Sequence, residues 1–478
     1  MPSTRSLPRH RLIGCLAALG LAACAVGPDY KGPPAAAIPA GGFKRALAGT
    51  EAGAPAARWW TALGDSELDR LIEAALEANP TVQAAAARVR EARANYAQQR
   101  AGLAPSTGSS ALYLRTKNPL DTGGGDLNLY TLGFDASWEL DLFGGTRRAV
   151  EAAGAAAQAS EASLRDVRVS LSAEVADAYV QLRDAQRRLA LTRRNADIDA
   201  HLLDLMQIRR NGGTASDLDV ERIVNQLDST RATLGPLRAL TLAQLDRLAV
   251  LTAQAPGALD AELAPAAAVP VPPATVAVGD PAALLRRRPD VVAAERRLAQ
   301  STAVIGQNVA ALFPKVSLLG FLGFGATSAG TLFNGSSFTP VVAPLLQWTP
   351  FDFGRTRGRI NQARAARDEA EADYHEAVLG ALEDAETSLA QYGEQRGTVA
   401  DLARVQQSAE KVYSMTEIRL RGGTAATTDV LDADTRRIQA ELDYQQALAQ
   451  LTRDYIALQK SLGLGWVEPA ADTNAPAR

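Results

Sequence analysis

The chain has 478 residues, 47% hydrophobic and 22% charged, with a formal net charge of -3. Its mean hydropathy is -0.09, and no run reaches the roughly 18 apolar residues that a spanning helix needs, so helices are excluded as a means of crossing a membrane. Both cysteines, Cys15 and Cys24, lie at the N-terminal end and only His201 and His375 follow them, which removes disulfide frameworks, thiol catalysis and Cys-based zinc sites from the body and favours a conduit, scaffold or binding protein over an enzyme.

Residues 1–23 read as a secretory signal: Arg5, Arg9 and Arg11 precede a short apolar stretch ending in Leu21-Ala22-Ala23-Cys24. Two readings stand at its end, a plain secretory signal with an incidental cysteine and a lipoprotein signal in which Cys24 carries a covalent lipid. Losing the three leader arginines takes the net charge to -6, and an acidic exported chain is a poor nucleic-acid binder. Residues 24–64, rich in Pro, Ala and Gly, are expected to form the lipid anchor and an extended tether.

The remainder is one plan used twice. Pro80 and Pro289 lie 209 residues apart, as do Pro105 and Pro314. Phe143-Gly144 matches Phe353-Gly354, Gly212-Gly213-Thr214 matches Gly422-Gly423-Thr424, and Asp219-Val220 matches Asp429-Val430, all 210 apart. The first repeat is assigned to 65–255, a Pro/Ala linker to 256–279, the second repeat to 280–465 and a tail to 466–478. Each repeat opens with a helix that has Pro in its first turn, 80–102 or 289–312.

After Pro105 and Pro314 the period changes to two. Strands are expected at 106–115, 129–141, 316–326 and 338–351. The second is the clearest: Tyr130, Leu132, Phe134, Ala136, Trp138 and Leu140 alternate with Thr131, Gly133, Asp135, Ser137 and Glu139. That is the length and pattern of a membrane β-strand, and equally of a half-buried strand in a soluble sheet. Pro340, Pro344 and Pro350 weaken the fourth. Tyr113, Tyr130, Trp138, Phe324, Phe338 and Trp348 are candidate membrane-interface aromatics.

Long proline-free segments follow, with hairpins expected at 146–251 and 356–462. The first arm of each would run roughly 100 Å at 1.5 Å per residue. Leu171, Val175, Ala178, Leu182, Ala185 and Leu189 step by four and three, as do Val378, Leu382, Ala385, Leu389 and Tyr392. This is coiled-coil spacing with many alanines. Arg286-Arg287-Arg288 before Pro289 reads as a helix end rather than a nucleic-acid patch. Four strands cannot close, and open edges in lipid leave backbone groups costing several kcal/mol each, so subunits must share a barrel. Two chains supply eight strands, filled by side chains; three supply twelve and an opening.

Cys24-Ala25-Val26-Gly27-Pro28-Asp29-Tyr30, Leu284-Leu285-Arg286-Arg287-Arg288-Pro289-Asp290 with Ala294-Glu295, Phe313-Pro314, Phe351-Asp352-Phe353-Gly354, and Gly422-Gly423-Thr424 followed by Asp429-Val430-Leu431-Asp432-Ala433 occur in one order. In that order they resemble the TolC-like outer-membrane factor family, in its lipidated, NodT-type branch. The resemblance covers essentially the whole mature chain. It implies a mainly α fold with a small β part: duplicated helical hairpins forming a trimeric α-barrel, and four strands per chain joining a shared 12-stranded outer-membrane β-barrel. It further implies a homotrimer in outer-membrane lipid, a periplasmic adaptor (membrane fusion protein), an inner-membrane pump, usually RND-type with MFS or ABC as alternatives, and passive efflux of small molecules. Cofactors are expected to be none beyond the lipid on Cys24. Protein export in a type I secretion system is the alternative.

By the same resemblance Asp429 and Asp432 match acidic rings at the periplasmic tip, and Asp219 a gate-stabilising acid. Helix capping accounts for the same positions. Gly212, Gly213, Thr214, Gly422, Gly423 and Thr424 match adaptor-docking turns, and a simple helix stop is the physical alternative. Ala425 and Leu420 depart from the family's locking residues, with Arg210, Arg419 and Arg421 nearby. A periplasmic lipoprotein enzyme lacks a nucleophile–base or metal constellation, and a purely structural coiled coil does not account for 130–140.

Overall fold

The computed structural model describes residues 25–34, 42–45, 50–51, 53, 55–116 and 127–466. The leader, Cys24, the 118–126 loop and the tail after Trp466 lie outside the described residues. In chain order the elements are β1 (Thr50–Glu51), α1 (Ser66–Ala78), α2 (Pro80–Ala101), β2 (Ser106–Thr116), β3 (Leu127–Leu140), α3 (Gly145–Asn211), α4 (Asp217–Ala232), α5 (Leu234–Leu251), α6 (Asp260–Leu263), β4 (Val276–Ala277), α7 (Pro281–Arg287), α8 (Pro289–Ala310), β5 (Lys315–Ala326), β6 (Phe338–Gln347), α9 (Arg355–Arg421) and α10 (Thr427–Ser461). No described helix is long and apolar enough to cross a membrane. The chain divides into two compact units, each assembled from separated stretches.

One unit draws on 1–35, 87–161 and 293–376. Its centre is an antiparallel sheet in the order β2-β3-β5-β6, which leaves β2 and β6 as edges. The register pairs Tyr113 with Tyr130, Trp138 with Leu318, and Phe338 with Phe324. Strand side chains alternate between faces, so Tyr113, Leu132, Phe134, Trp138, Leu322, Phe338 and Val342 share one side. Phe134 is 68% and Val342 73% exposed. Within the chain this apolar face is left uncovered, as the membrane-strand reading of 130–140 expects. β6 ends at Gln347 rather than at 351, because Gln347 pairs with Lys315, the first residue of β5, and no partner strand remains beyond it. Pro340 and Pro344 stand in β6, which pairs with β5 on one side and has no second neighbour within the chain.

In the same unit residues 25–34 lie as a strap along the helices. Arg148, nearly buried, ion-pairs with Asp29 at 2.5 Å and Glu151 at 2.8 Å. The Tyr30 hydroxyl donates to Glu295 at 3.1 Å. Ala25 meets the Phe143-Gly144 turn: the Val26 N–H donates to the Phe143 carbonyl at 3.1 Å, and Phe143 stacks on Phe313 at 4.6 Å.

The other unit draws on 36–86, 162–292 and 377–478. The coiled-coil positions Leu171, Val175, Ala178, Leu182 and Ala185 are buried, as are Val378, Ala385, Leu389 and Tyr392. Leu191 and Ile198 of α3 pack against Ile438 of α10. Trp59 and Trp60 are each 2% exposed, with Trp59 edge-on to Tyr455, so the end of the expected tether is core. The return arm of the first hairpin is two helices rather than one. Pro236 lacks an N–H and clashes with a preceding carbonyl, so the chain breaks at Thr233. Gln446 occupies the matching position of the second repeat, and α10 runs unbroken. Arg288 serves as a helix-end tie, bonded to Asp290 at 2.6 Å, Asp384 at 3.0 Å and the Ser461 carbonyl at 3.1 Å.

The first hairpin buries a polar pair that the second lacks. Asp199, 1% exposed, accepts from the Thr230 hydroxyl at 2.7 Å, while its Oδ1 has no partner. The positions 210 residues on are Ala409 and Ala440. Burial pushes the Asp199 carboxyl up. A raised folded pKa gives stability that is fully present below the unfolded value of about 3.9 and is lost as pH rises through the folded value. Thr230→Val should therefore cost about 1–3 kcal/mol by stranding the carboxylate, read as faster amide exchange across α3 and α4. The double change Asp199→Ala/Thr230→Ala should restore protection and flatten its pH dependence. Equal protection in wild type and Thr230→Val would show that the pair contributes nothing.

Candidate functional site

The two turns joining the hairpin arms share one geometry. After Asn211, the Gly213 N–H donates to the Arg210 carbonyl at 2.9 Å and the Thr214 N–H to Arg209 at 2.8 Å. After Arg421, Gly423 donates to Leu420 at 2.9 Å and Thr424 to Arg419 at 2.8 Å. These paired bonds close a Schellman end, with Gly213 at φ +72° and Gly423 at φ +73°, where only glycine is unstrained. Gly212 and Gly422 are different: a Cβ there meets only carbonyl oxygens at 3.6 Å, an ordinary contact.

The three acids separate by role. Asp219 completes a reciprocal cap, accepting from the Ser216 N–H at 3.0 Å while its own N–H donates to the Ser216 hydroxyl at 3.2 Å. The Ser216 backbone N–H, and then its hydroxyl, hold the Asp219 carboxyl below the usual carboxylate range. Asp429 accepts from the Ala426 N–H at 2.9 Å, half of the same device, since alanine offers no side-chain acceptor in return. Asp432 takes no part in a cap; it is exposed and ion-pairs with Arg436 at 3.0 Å. The basic residues are engaged within their own turns: Arg210 with Asp217 at 2.6 Å, Arg421 with Glu417 at 3.3 Å, and Arg419 on the Thr424 carbonyl at 3.2 Å.

Sequence reasoning missed the apolar residues flanking these turns. Ile208 and Ile418, at equivalent positions, are 67% and 61% exposed, with Leu218 and Met415 also exposed. Their 210-residue match was available in the sequence, but helical periodicity alone reads such residues as core.

The candidate interface aromatics sort into two levels along the sheet. Tyr113 stacks on Tyr130 at 4.7 Å, and Phe324 meets Phe338 edge-on at 5.8 Å. Toward the other strand ends, the Trp138 indole donates to the Leu103 carbonyl at 3.0 Å and the Trp348 indole to Leu312 at 3.1 Å. Each tryptophan thus ties a strand to the helix end that precedes its hairpin, once per repeat. Tyr130 and Trp138 are eight residues apart, about 26 Å along a strand, comparable to the ~25 Å apolar band of a membrane barrel. Cys24 lies outside the described residues; Ala25, next to it, lies beside Phe143-Gly144, just past the Trp138 end of β3. Among the described residues no group of His, Cys, Asp and Glu could hold a metal ion.

The family model described as outer membrane efflux protein matches residues 71–254 and 281–464. Outer membrane protein OprJ of Pseudomonas aeruginosa is 31% identical over 96% of this chain and 97% of its own length. Nodulation protein T of Rhizobium leguminosarum bv. trifolii is 29% identical over 93% and 95%. Among solved structures, the outer-membrane channel OprN superimposes with a TM-score of 0.85 at 36% identity, covering 93% of this chain and all of that one. The chain belongs to the outer membrane efflux protein family, as a TolC-like, NodT-type outer-membrane efflux channel protein.

Proposed function

We propose that three copies of this chain close one 12-stranded barrel in the outer membrane and form a passive exit duct for small molecules, delivered by a periplasmic adaptor and an inner-membrane pump of the RND type. The observation that carries this reading is the four-stranded sheet with two unpaired edges and an exposed apolar face. In hydrocarbon, every N–H and C=O on those edges needs a partner, and a rotationally symmetric ring supplies one by joining β6 of each copy to β2 of the next. The duct performs no bond chemistry; the pump supplies the energy. A covalent lipid on Cys24 adds an anchor beside the barrel, which the position of Ala25 supports. Relatives named as efflux pump outer membrane proteins, such as ArpC and TtgC of Pseudomonas putida, support the assignment to efflux.

In this reading the tip turns receive the adaptor, with Gly212, Gly213, Thr214, Gly422, Gly423 and Thr424 offering close backbone approach and Ile208 and Ile418 apolar contact. Asp432, not consumed by a cap, contributes an acidic ring to the pore, with Asp219 and Asp429 shaping the turns that carry it.

The Cys-free body makes the edge pairing directly testable. Ser110→Cys on β2, which lies on the same face as Thr339, Val341 and Ala343, combined with single cysteines at those three β6 positions should, on oxidation, give a ladder ending at three times the mass of one chain. Monomer alone at every position would overturn the shared barrel. Asp432→Asn should weaken cation selectivity of the purified channel in planar bilayers; an unchanged reversal potential removes Asp432 from the pore wall. For docking, Gly212→Leu with Gly422→Leu adds bulk without the strain incurred at Gly213 or Gly423. Retained adaptor crosslinking and drug efflux in that variant would sink the docking role.

A further inference from the structure

The face of the sheet opposite the exposed aromatics is not uniformly polar. Alternation places Thr131, Gly133, Asp135, Ser137 and Glu139 of β3 on it, together with Lys315, Leu319, Phe321 and Gly323 of β5. Asp135 and Phe321 are direct register partners, and Val341 of β6 pairs with Phe321 on its other side. The Phe321 ring lies over a glycine pair: a Cβ built on Gly133 or on Gly323 would come within 2.7 Å of ring atoms. Gly323 is buried beneath it, and Gly133 pairs with Gly323 across the strands. Two glycines side by side thus make room for an aromatic ring laid against the wall, half-exposed and bordered by Leu319 and Val341 in a shallow depression that also includes Asp135.

The charges on this face are unequal. Glu139 and Lys315 neutralise each other at 3.3 Å. Asp135 has no hydrogen-bond or ion-pair partner among the described residues, although it is half-buried. An uncompensated carboxylate beside an aromatic and aliphatic surface is complementary to a single ligand chemistry: an organic cation with an apolar body. The ammonium meets the carboxylate and the ring face, and the hydrocarbon rests on Phe321, Leu319 and Val341.

We propose that Asp135 and Phe321 form a transit subsite for cationic amphiphilic solutes on the inner wall of the channel, a step that rests on the exit-duct reading above. A conduit needs such sites to be weak and repeated, attractive enough to draw a solute in and shallow enough to release it, and three copies around a closed barrel provide that.

The test uses the full-length channel in planar bilayers, with benzyltrimethylammonium as probe and benzyl alcohol as its uncharged counterpart. Wild type should show concentration-dependent block by the cation and none by the alcohol. Asp135→Asn and Phe321→Ala should each raise the half-blocking concentration at least fivefold, while Thr131→Ala, on the same face but outside the subsite, leaves it unchanged. Conducting trimers with the same half-blocking concentration in wild type and Asp135→Asn overturn the subsite and leave the channel standing. Loss of block in Asp135→Asn with full block in Phe321→Ala overturns the amphiphile assignment in favour of plain charge attraction. Failure of the wild-type protein to form conducting trimers overturns the exit-duct reading itself.

Discussion

The backbone hydrogen bond in a medium without water is the constraint on which the rest depends. A strand in hydrocarbon has no solvent to satisfy its N–H and C=O groups, so a membrane sheet must close on itself. This chain supplies four strands, and β2 and β6 each leave one side unpaired. Assembly is therefore a condition for the sheet to reside in lipid at all.

Duplication shapes everything built on that sheet, yet the copies have diverged where hairpins need different mechanics. The first hairpin is pinned by the buried Asp199–Thr230 bond and broken at Thr233. The second is continuous along α10 and carries a charged hub, with Arg437 bonded to Asp434 at 2.6 Å and to Glu410 at 3.3 Å, and set over Tyr413. The matching positions in the first hairpin are Leu227, Val224, Ala200 and Leu203, all apolar. A buried polar contact in a coiled coil restricts register more than an alanine seam does. The repeats therefore share an outline while differing in which helix pair is locked by hydrogen bonding and which by charge.

Much of the plan was legible because it rests on local chemistry. Period-two alternation through 130–140 follows from strand geometry, and the Gly-Gly-Thr turns announce a left-handed helix end whatever surrounds them. The end of β6 was not legible, since it depends on where β5 begins. Nor was the division of labour among the acids. Asp219, Asp429 and Asp432 all look like helix-start carboxylates, but only the folded turn shows two bonded to backbone N–H groups and the third paired with Arg436. Ile208 and Ile418 went unassigned for the opposite reason: periodicity reports helical phase but not which phase remains uncovered.

The sequence by itself determined the duplicated plan, the cysteine-free body, the absence of spanning helices and the alternation that commits 130–140 to a strand. These are properties of residue order and need no partner in space. Only the tertiary structure decided which strands are edges, which apolar face is left bare, and that Phe321 lies over the Gly133–Gly323 pair beside an unpaired Asp135. Each of those depends on register between segments nearly two hundred residues apart, and register is set by the packing of the whole sheet rather than by either strand alone.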